Sequence, residues 1–205
     1  MPSSVNQQSP ITTPAVEFLR QVLQCIAETG GDTAKVFEFF KANLHRLNDE
    51  ALLEAVPLVF QEMVAEADLT KQRRVATDFI WLGIAFNGFP LGNRALNQEL
   101  SIAAYHNALQ VYTREAFPED WAMTQNNLGN AYGDRIRGER ADNLEQAIAA
   151  YHNALQVRTR EAFPQDWAMT QNNLGLAYGN RIRGDRADNL EQAIAAYHNA
   201  LQVYT

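Results

Sequence analysis

Apolar residues recur along this chain at the spacing of an α-helix, in which positions three and four apart lie on the same face. The first such stripe comprises Val16, Leu19, Val22, Leu23 and Ile26. Thr13 stands before Pro14 as an N-cap, and Gly30 follows the last apolar turn. Because a threonine cap, a proline at the first helical position and a C-terminal glycine mark helix ends, we predict a helix between Thr13 and Gly30.

The next residues predict two further helices and one interruption. One helix opens at Asp32 or Thr33, and another is expected to be capped by Asn48 and to run to Met63. Pro57 lies inside this last helix, where a proline is expected to kink or split it. Together the three patterns predict an all-helical cap at the N-terminal end of the chain.

A sequence repeat dominates the rest of the chain. The string AYHNALQV occurs three times, with its tyrosine at Tyr105, Tyr151 and Tyr197, a step of 46 residues. Residues 103–159 match residues 149–205 at all but six positions. A period of this length predicts a solenoid, in which each unit buries its apolar face against its neighbours. Near-identity also argues against an active site, which needs different groups converging on one point.

The repeat extends further back in a diverged form, since Leu82 and Gly83 precede Leu128 and Gly129 by the same 46 residues. The predicted division of the chain is a disordered lead (1–12), the helical cap (13–70) and a repeat array (71–205). Within the array we predict a degenerate unit (71–117), a full unit (118–163) and a unit truncated in its second helix (164–205).

Each unit is predicted to be a helical hairpin. The first helix is expected to run from Pro118 to about Arg137 and to end at Gly138. The second helix is expected to be capped by Asn143 and to run past Val157 toward Phe163. Apolar and small residues on one face of each helix predict that these two faces pack together.

The repeated residues resemble the tetratricopeptide repeat (TPR). The matching positions are Leu128, Gly129, Tyr132, Ala147, Tyr151 and Ala154. The resemblance implies an all-α, right-handed superhelical solenoid of helical hairpins, here with an N-terminal helical cap. It also implies a protein–protein interaction scaffold that holds an extended peptide in its concave groove. Because a standard unit has about 34 residues, we expect both helices of this longer unit to be extended.

The segment TQNNLG resembles the variant found in kinesin light chains, and similar arrays occur in bacterial proteins with a CHAT-type, caspase-like peptidase domain. This likeness implies an alternative function, as the N-terminal regulatory or sensor region of a larger peptidase protein. The repeat breaks off within a helix at Thr205, which favours the same alternative. A third possibility is a structural solenoid that associates head to tail through the uncapped last helix.

In the resemblance, the first helix of each hairpin lines the groove. The predicted peptide-binding residues are Met123, Asn126, Asn127, Asn130, Met169, Asn172, Asn173 and Leu176. An asparagine amide both donates and accepts hydrogen bonds, so a row of asparagines suits the backbone of an extended peptide. The alternative is that these amides bond one another. The equivalent positions of the first unit are Thr77, Ile80, Trp81 and Ile84, which are either covered by the cap or form an apolar anchor pocket.

Three further sets of residues recur with the period. Stacked units place Arg135, Arg137, Arg140, Arg181, Arg183 and Arg186 in a ladder that suits an acidic ligand, unless these arginines pair with acids of their own loop. The histidines at His106, His152 and His198 are expected to form a solvated face. Gly133 and Gly179 lie inside helices, where close helix packing or close ligand approach would each explain a glycine.

Composition narrows the functional classes. Four Lys and Arg stand against ten Asp and Glu in residues 1–70, so this region carries most of the net charge of −7. An acidic chain argues against nucleic acid and anionic membranes as partners. The N terminus lacks the features of a signal peptide, and a single cysteine suits a reducing compartment. We therefore expect a cytoplasmic, non-enzymatic protein without metal or cofactor, which binds a protein or peptide.

Overall fold

The computed structural model describes residues 13–204, and in this range all regular structure is helical. The predicted lead over residues 1–12 lies outside the described residues. The helices are α1 (Pro14–Thr29), α2 (Thr33–Ala42), α3 (Leu44–Leu47), α4 (Leu52–Ala65), α5 (Leu69–Gly88), α6 (Arg94–Ala108), α7 (Pro118–Asp134), α8 (Arg140–Leu155), α9 (Pro164–Asn180) and α10 (Arg186–Tyr204). None of these described helices is long and apolar enough to cross a membrane.

The first two helices begin and end where the sequence predicts. Thr13 Oγ1 accepts a hydrogen bond from the backbone N–H of Val16 (3.3 Å), and Gly30 ends α1 at a φ of 63°. Asp32 caps α2 by accepting from the backbone N–H of Ala34 (3.0 Å). These caps satisfy backbone groups that a helix end leaves without partners.

The prediction for the next helix is partly wrong. Asn48 does not cap α4, which begins at Leu52; instead Asn48 Oδ1 accepts from the backbone N–H of Asn93 (2.8 Å) and ties the cap to the turn before α6. Pro57 lies inside α4 without splitting it. Pro57 is the sixth residue of α4, beyond the first N–H groups that have no intrahelical partner, so α4 continues with one backbone hydrogen bond fewer.

Three helical hairpins follow, formed by α5–α6, α7–α8 and α9–α10. One contact recurs in all three, in which a tyrosine ring lies flat against a glycine of the preceding helix. A Cβ atom added at Gly83 or Gly129 would lie 2.5 Å from the ring of Tyr105 or Tyr151, and one at Gly175 would lie 2.8 Å from Tyr197. The predicted packing of the two helices through small residues is confirmed, and the fold is an all-α, TPR-type solenoid.

The extra residues of the long repeat do not lengthen the helices as predicted. Helix α7 ends at Asp134 rather than near Arg137, and α8 ends at Leu155 rather than toward Phe163. The helices have 17 and 16 residues, so the rest of the repeat forms loops. The second loop is ordered by Thr159, whose Oγ1 accepts from the backbone N–H of Ala162 (3.2 Å).

Asn143 is also not the N-cap of α8, which begins at Arg140. Its buried side chain reaches back into the loop, where Nδ2 donates to the carbonyl of Arg137 (2.8 Å). Arg140 in turn donates to the carbonyl of Gly133, a group that the end of α7 leaves free. Side chains of α8 therefore replace the extra helical turn that the sequence predicts.

The hydrophobic core is continuous from the cap into the repeats. One cluster of buried residues extends from Ala15 in α1 to Ala131 in α7, and a smaller one joins α8 and α9 around Tyr151 and Leu174. The predicted boundary near residue 70 is therefore not a gap in the core, and the division of the chain into domains stays a prediction.

Candidate functional site

The asparagines predicted to line the groove form a hydrogen-bonded network between α7 and α9. Asn126 is buried, and its Oδ1 accepts from Thr170 Oγ1 (3.2 Å) and Asn173 Nδ2 (3.4 Å). Asn130 Oδ1 accepts from Asn173 Nδ2 (3.1 Å) and from the Tyr151 hydroxyl (2.8 Å). Asn126, Asn130 and Asn173 therefore hold neighbouring hairpins together, which corresponds to the alternative in which the amides bond one another.

The other five predicted groove residues are more accessible. Met169, Asn172 and Leu176 are exposed on α9, and Asn127 is half-buried on α7. Met123 is half-buried and lines a cavity of about 240 Å³ where α7 meets the start of α9. The eight residues thus divide into an inner set that joins helices and an outer set that faces solvent.

A second cavity, of about 220 Å³, lies between the C-terminal ends of α7 and α9. This groove cavity is lined by Asn130, Gly133, Asp134, Arg140, Leu144, Tyr151, Asn173, Leu176, Ala177 and Asn180. Its wall combines amide and hydroxyl groups, one carboxylate (Asp134), one guanidinium (Arg140) and a few apolar side chains. Such a wall offers both hydrogen bonds to a peptide backbone and an apolar surface for a side chain.

Gly133 opens the wall of the groove cavity without being required for helix packing. A Cβ atom added at Gly133 would find only the Tyr151 hydroxyl within 4 Å, at 3.9 Å. At Gly129, one turn earlier, the same addition would collide with the Tyr151 ring. Of the two explanations for a glycine inside this helix, close packing therefore applies to Gly129 and not to Gly133.

The arginines predicted to bind an acidic ligand have partners within the chain. Arg135 forms two hydrogen bonds of 2.7 Å to the carboxylate of Glu99, and Arg181 forms two of 2.8 Å to Glu145. Each pair joins the loop of one hairpin to the second helix of the preceding hairpin. The hydrogen bond from Arg181 lowers the pKa of Glu145, so this pair is ionised at neutral pH.

The remaining four arginines of the predicted ladder are also engaged. Arg137 pairs with Glu50 of the cap, and Arg183 pairs with Asp142 of α8. Arg140 and Arg186 donate to the carbonyls of Gly133 and Gly179. The predicted ladder is thus occupied, and its acidic partners belong to preceding elements rather than to the same loop. The signal for this pairing is present in the sequence, since Glu99 and Glu145 recur with the period.

The periodic histidines are exposed, as expected of a solvated face, and two of them also connect hairpins. His106 Nε2 lies 2.8 Å from the Tyr132 hydroxyl, and His152 Nε2 lies 2.9 Å from the Tyr178 hydroxyl. Burial lowers the pKa of both histidines, so each ring is neutral at neutral pH. Each pair links the second helix of one hairpin to the first helix of the next.

In the first hairpin, the positions equivalent to the groove are largely covered. Ile80 is buried, and the Thr77 hydroxyl lies 2.7 Å from the Tyr112 hydroxyl. Trp81 packs on the turn between α1 and α2, where a Cβ atom at Gly31 would lie 2.4 Å from the indole. Of the two alternatives from the sequence, the first therefore applies to Trp81 and Ile80, which are covered and do not form an apolar anchor pocket.

The cap contains a larger cavity, of about 470 Å³, which the sequence did not predict. It lies among α1, α4 and α5, and its wall includes Leu23, Met63 and Val75 with Arg74 and Asp78. Burial raises the pKa of Asp78 to about 6, an effect that the charge of Arg74 opposes. No repeat or motif marks these residues, so no signal in the sequence locates this cavity.

Comparison with known families places the repeats in a class. Residues 121–161 and 167–203 each match the family model of the tetratricopeptide repeat. The two matches coincide with the hairpins α7–α8 and α9–α10 and, with the recurring glycine–tyrosine contact, show that these two hairpins are of the TPR type. A comparison with curated proteins gives no match. The likeness to kinesin light chains and to CHAT-type proteins stays a prediction.

Proposed function

We propose that this chain is a non-enzymatic protein-binding scaffold. In this proposal an extended segment of a partner protein lies across the first helices of the hairpins and inserts a side chain into the groove cavity. Repeats of the TPR type generally mediate protein–protein interaction, which supports the class of function.

The proposal rests mainly on one observation, which is that α7 contains a glycine, Gly133, that its packing does not require. A glycine inside a helix costs about 1 kcal/mol relative to alanine, and a Cβ atom here has no closer neighbour than the Tyr151 hydroxyl at 3.9 Å. Packing within the chain therefore does not explain the glycine. The need for an open cavity wall explains it, because any side chain at Gly133 would project into space that a ligand needs.

The lining of the groove cavity suggests the chemistry of that ligand. The amide of Asn180 is exposed on this wall and is suited to the N–H and C=O groups of an extended backbone, whereas Asn130 and Asn173 are engaged with each other. Asp134 and Leu176 lie on the same wall and suit a ligand side chain with an apolar stem and a basic end. The proposed ligand is thus an extended peptide with a lysine or arginine opposite Asp134.

The test uses the full chain as bait for a phage-displayed library of random peptides. We expect selected peptides to carry a basic residue and to lose at least about tenfold in affinity for Gly133→Leu, because the leucine fills the cavity. Gly179→Leu is the matched control, because Gly179 is the equivalent residue of α9. In the described residues no further hairpin packs beside α9 at this point, so the leucine fills no corresponding cavity. Binding is measured by fluorescence anisotropy.

Equal affinity of selected peptides for the wild-type chain and for Gly133→Leu would contradict the proposal. Alanine at Asn126 and Asn173 is not a useful test, because these amides join α7 to α9 and their loss lowers stability as well. Asn180→Ala is preferable as a second variant, since Asn180 lines the groove cavity, is exposed and lies outside that network.

The two other functions expected from the sequence stay predictions. A regulatory role within a CHAT-type peptidase protein requires a peptidase domain encoded in the same gene, which sequencing of the neighbouring DNA tests. Head-to-tail self-association requires a mass that rises with concentration, which light scattering tests.

A further inference from the structure

The surface of α9 and α10 that points away from α7 and α8 is apolar and open to solvent. On α10, Leu190 and Ile194 are 41% and 47% exposed, whereas the equivalent residues of α8, Leu144 and Ile148, are 2% and 6% exposed. The two sets are identical in sequence and differ only in what covers them. We call the surface formed by Asn172, Leu176, Asp188, Leu190, Glu191, Ile194 and His198 the open face.

The contact between α7–α8 and α9–α10 shows what this type of face binds. The covered face of α7–α8 presents acceptors, and the incoming hairpin presents donors. Glu145 accepts two hydrogen bonds of 2.8 Å from Arg181, and Asn126 accepts one of 3.2 Å from Thr170. The Tyr178 hydroxyl of the incoming hairpin meets the ring of His152 at 2.9 Å.

The open face repeats these polar residues 46 positions later. Glu191, Asn172, Asp188 and His198 correspond to Glu145, Asn126, Asp142 and His152. These four side chains are exposed, and none of them has a hydrogen bond or ion pair with another side chain of residues 13–204. The open face therefore has the same apolar centre and acidic rim as the face of α7–α8 that the hairpin α9–α10 covers.

We propose that the open face binds a helical hairpin of a partner protein that carries this chain's own donor set. That set is a tyrosine followed by arginines three and five residues later, as at Tyr178, Arg181 and Arg183, with a threonine eight residues before the tyrosine, as at Thr170. The arginines meet Glu191 and Asp188, the tyrosine meets His198, and the threonine meets Asn172. This surface shares only Leu176 with the lining of the groove cavity and binds a folded element rather than an extended peptide.

A second copy of this chain does not supply such a hairpin. Within the described residues the donor arginines are already paired, Arg135 with Glu99 and Arg181 with Glu145, and the first hairpin has the buried Phe89 at this position. Two open faces placed against each other would put two acidic surfaces together, because each carries the carboxylates of Asp188 and Glu191. Repulsion between two surfaces of like charge opposes their association.

The experiment uses the full chain and, as the probe, a fluorescein-labelled segment of residues 160–205, which carries the donor set. We expect saturable binding in fluorescence anisotropy and a loss of at least about tenfold in affinity for the Glu191→Arg chain. A segment with Arg181→Glu should restore binding to that variant, because the charges are exchanged. Gln192→Arg is the matched control, since Gln146, the equivalent of Gln192, stays exposed when the face is covered.

A second arm does not depend on the folding of the free segment. Residues 160–205 are appended directly after Thr205 of the full chain, which gives the hairpin a high effective concentration. We expect a higher thermal midpoint than for the parent chain, and loss of that increase when Glu191→Arg is introduced. The charge-exchanged hairpin should again restore it.

Three results would overturn the inference. The first is an unchanged thermal midpoint on extension together with no binding of the free segment. The second is an increase that Glu191→Arg leaves intact. The third is a concentration-dependent mass of the chain alone that Glu191→Arg abolishes, which would assign the open face to a second copy instead.

Discussion

Gly129 and Gly133 lie one turn apart in α7, and their surroundings differ. At Gly129 the Tyr151 ring occupies the space of a side chain, with Cε1 2.5 Å from the position of a Cβ atom. At Gly133 the nearest atom is the Tyr151 hydroxyl at 3.9 Å. One tyrosine thus defines both the closest contact of the hairpin and the end of the groove cavity.

Alanine at the two glycines is expected to have opposite effects on stability. Gly129→Ala should lower the free energy of unfolding by about 1–3 kcal/mol, because the buried ring has to move. Gly133→Ala should raise it by up to about 1 kcal/mol, because alanine is the better helix former and finds room. Urea denaturation followed by circular dichroism measures both values, and two changes of the same sign would contradict the contact geometry.

The sequence predicted part of this residue-scale picture. Gly129 and Tyr151 are spaced as in the TPR pattern, and their close approach follows from that pattern. The partners of Asn126 and Asn143 were not predictable, because an amide bonds equally well with solvent, a ligand or a neighbouring helix. Because Asn126 is buried in the assembled solenoid, its amide bonds with the neighbouring helix.

At the scale of elements, the loop after each second helix carries a residue that varies between copies. Tyr112 is buried, and its hydroxyl donates to the carbonyl of Arg73 (3.0 Å) at the start of α5. Arg158 takes the same position one unit later and is 6% exposed, with Asp166 3.6 Å away. Burial lowers the pKa of Arg158, which indicates that its charge is poorly compensated there.

Arg158→Tyr is therefore expected to stabilise the protein. The substitution removes a buried charge, and the new hydroxyl can donate to the carbonyl of Glu119, the equivalent of Arg73. We expect an increase of about 1–2 kcal/mol in the free energy of unfolding, because the guanidinium is buried whereas its partner Asp166 is about half exposed and compensates the charge only in part. Arg160→Tyr, at an exposed position, is the control and should change stability by no more than about 0.5 kcal/mol. A lower urea midpoint for Arg158→Tyr would contradict this account.

At the scale of the whole molecule, stability is distributed unevenly along the solenoid. The cap and the first hairpin share one continuous core, whereas the last hairpin leaves Leu190 and Ile194 exposed. In a solenoid each unit is stabilised mainly by its nearest neighbours, so a unit with one neighbour opens more readily than a unit with two.

Hydrogen exchange followed by mass spectrometry should show this gradient. Backbone amides of α9 and α10 are expected to exchange faster than those of α5 and α6, because local opening of the last hairpin exposes less buried apolar surface. Ordinary fraying is separated from this effect by comparing the central turns of each helix. Equal protection of α6 and α10 would contradict the nearest-neighbour account.

Repetition and local spacing were sufficient to predict the class of fold. The 46-residue period, the helical apolar stripes and the glycine–tyrosine pair are properties of the chain itself, and they lead to stacked hairpins without any knowledge of long-range contacts. The helix ends were less predictable. The carbonyl of Gly133 is satisfied by Arg140 from the next helix, so α7 ends earlier than its local sequence indicates.

Three-dimensional packing was needed to assign the polar residues. The arginines that the period aligned into a ladder are paired with Glu99, Glu145 and other acids of preceding elements, and the inner asparagines bond across two helices. A polar side chain takes whichever partner leaves the fewest buried groups without hydrogen bonds, and that choice depends on neighbours far away in the sequence. Local pattern therefore predicts the hairpins, while the surfaces left for partners emerge only once the hairpins are stacked.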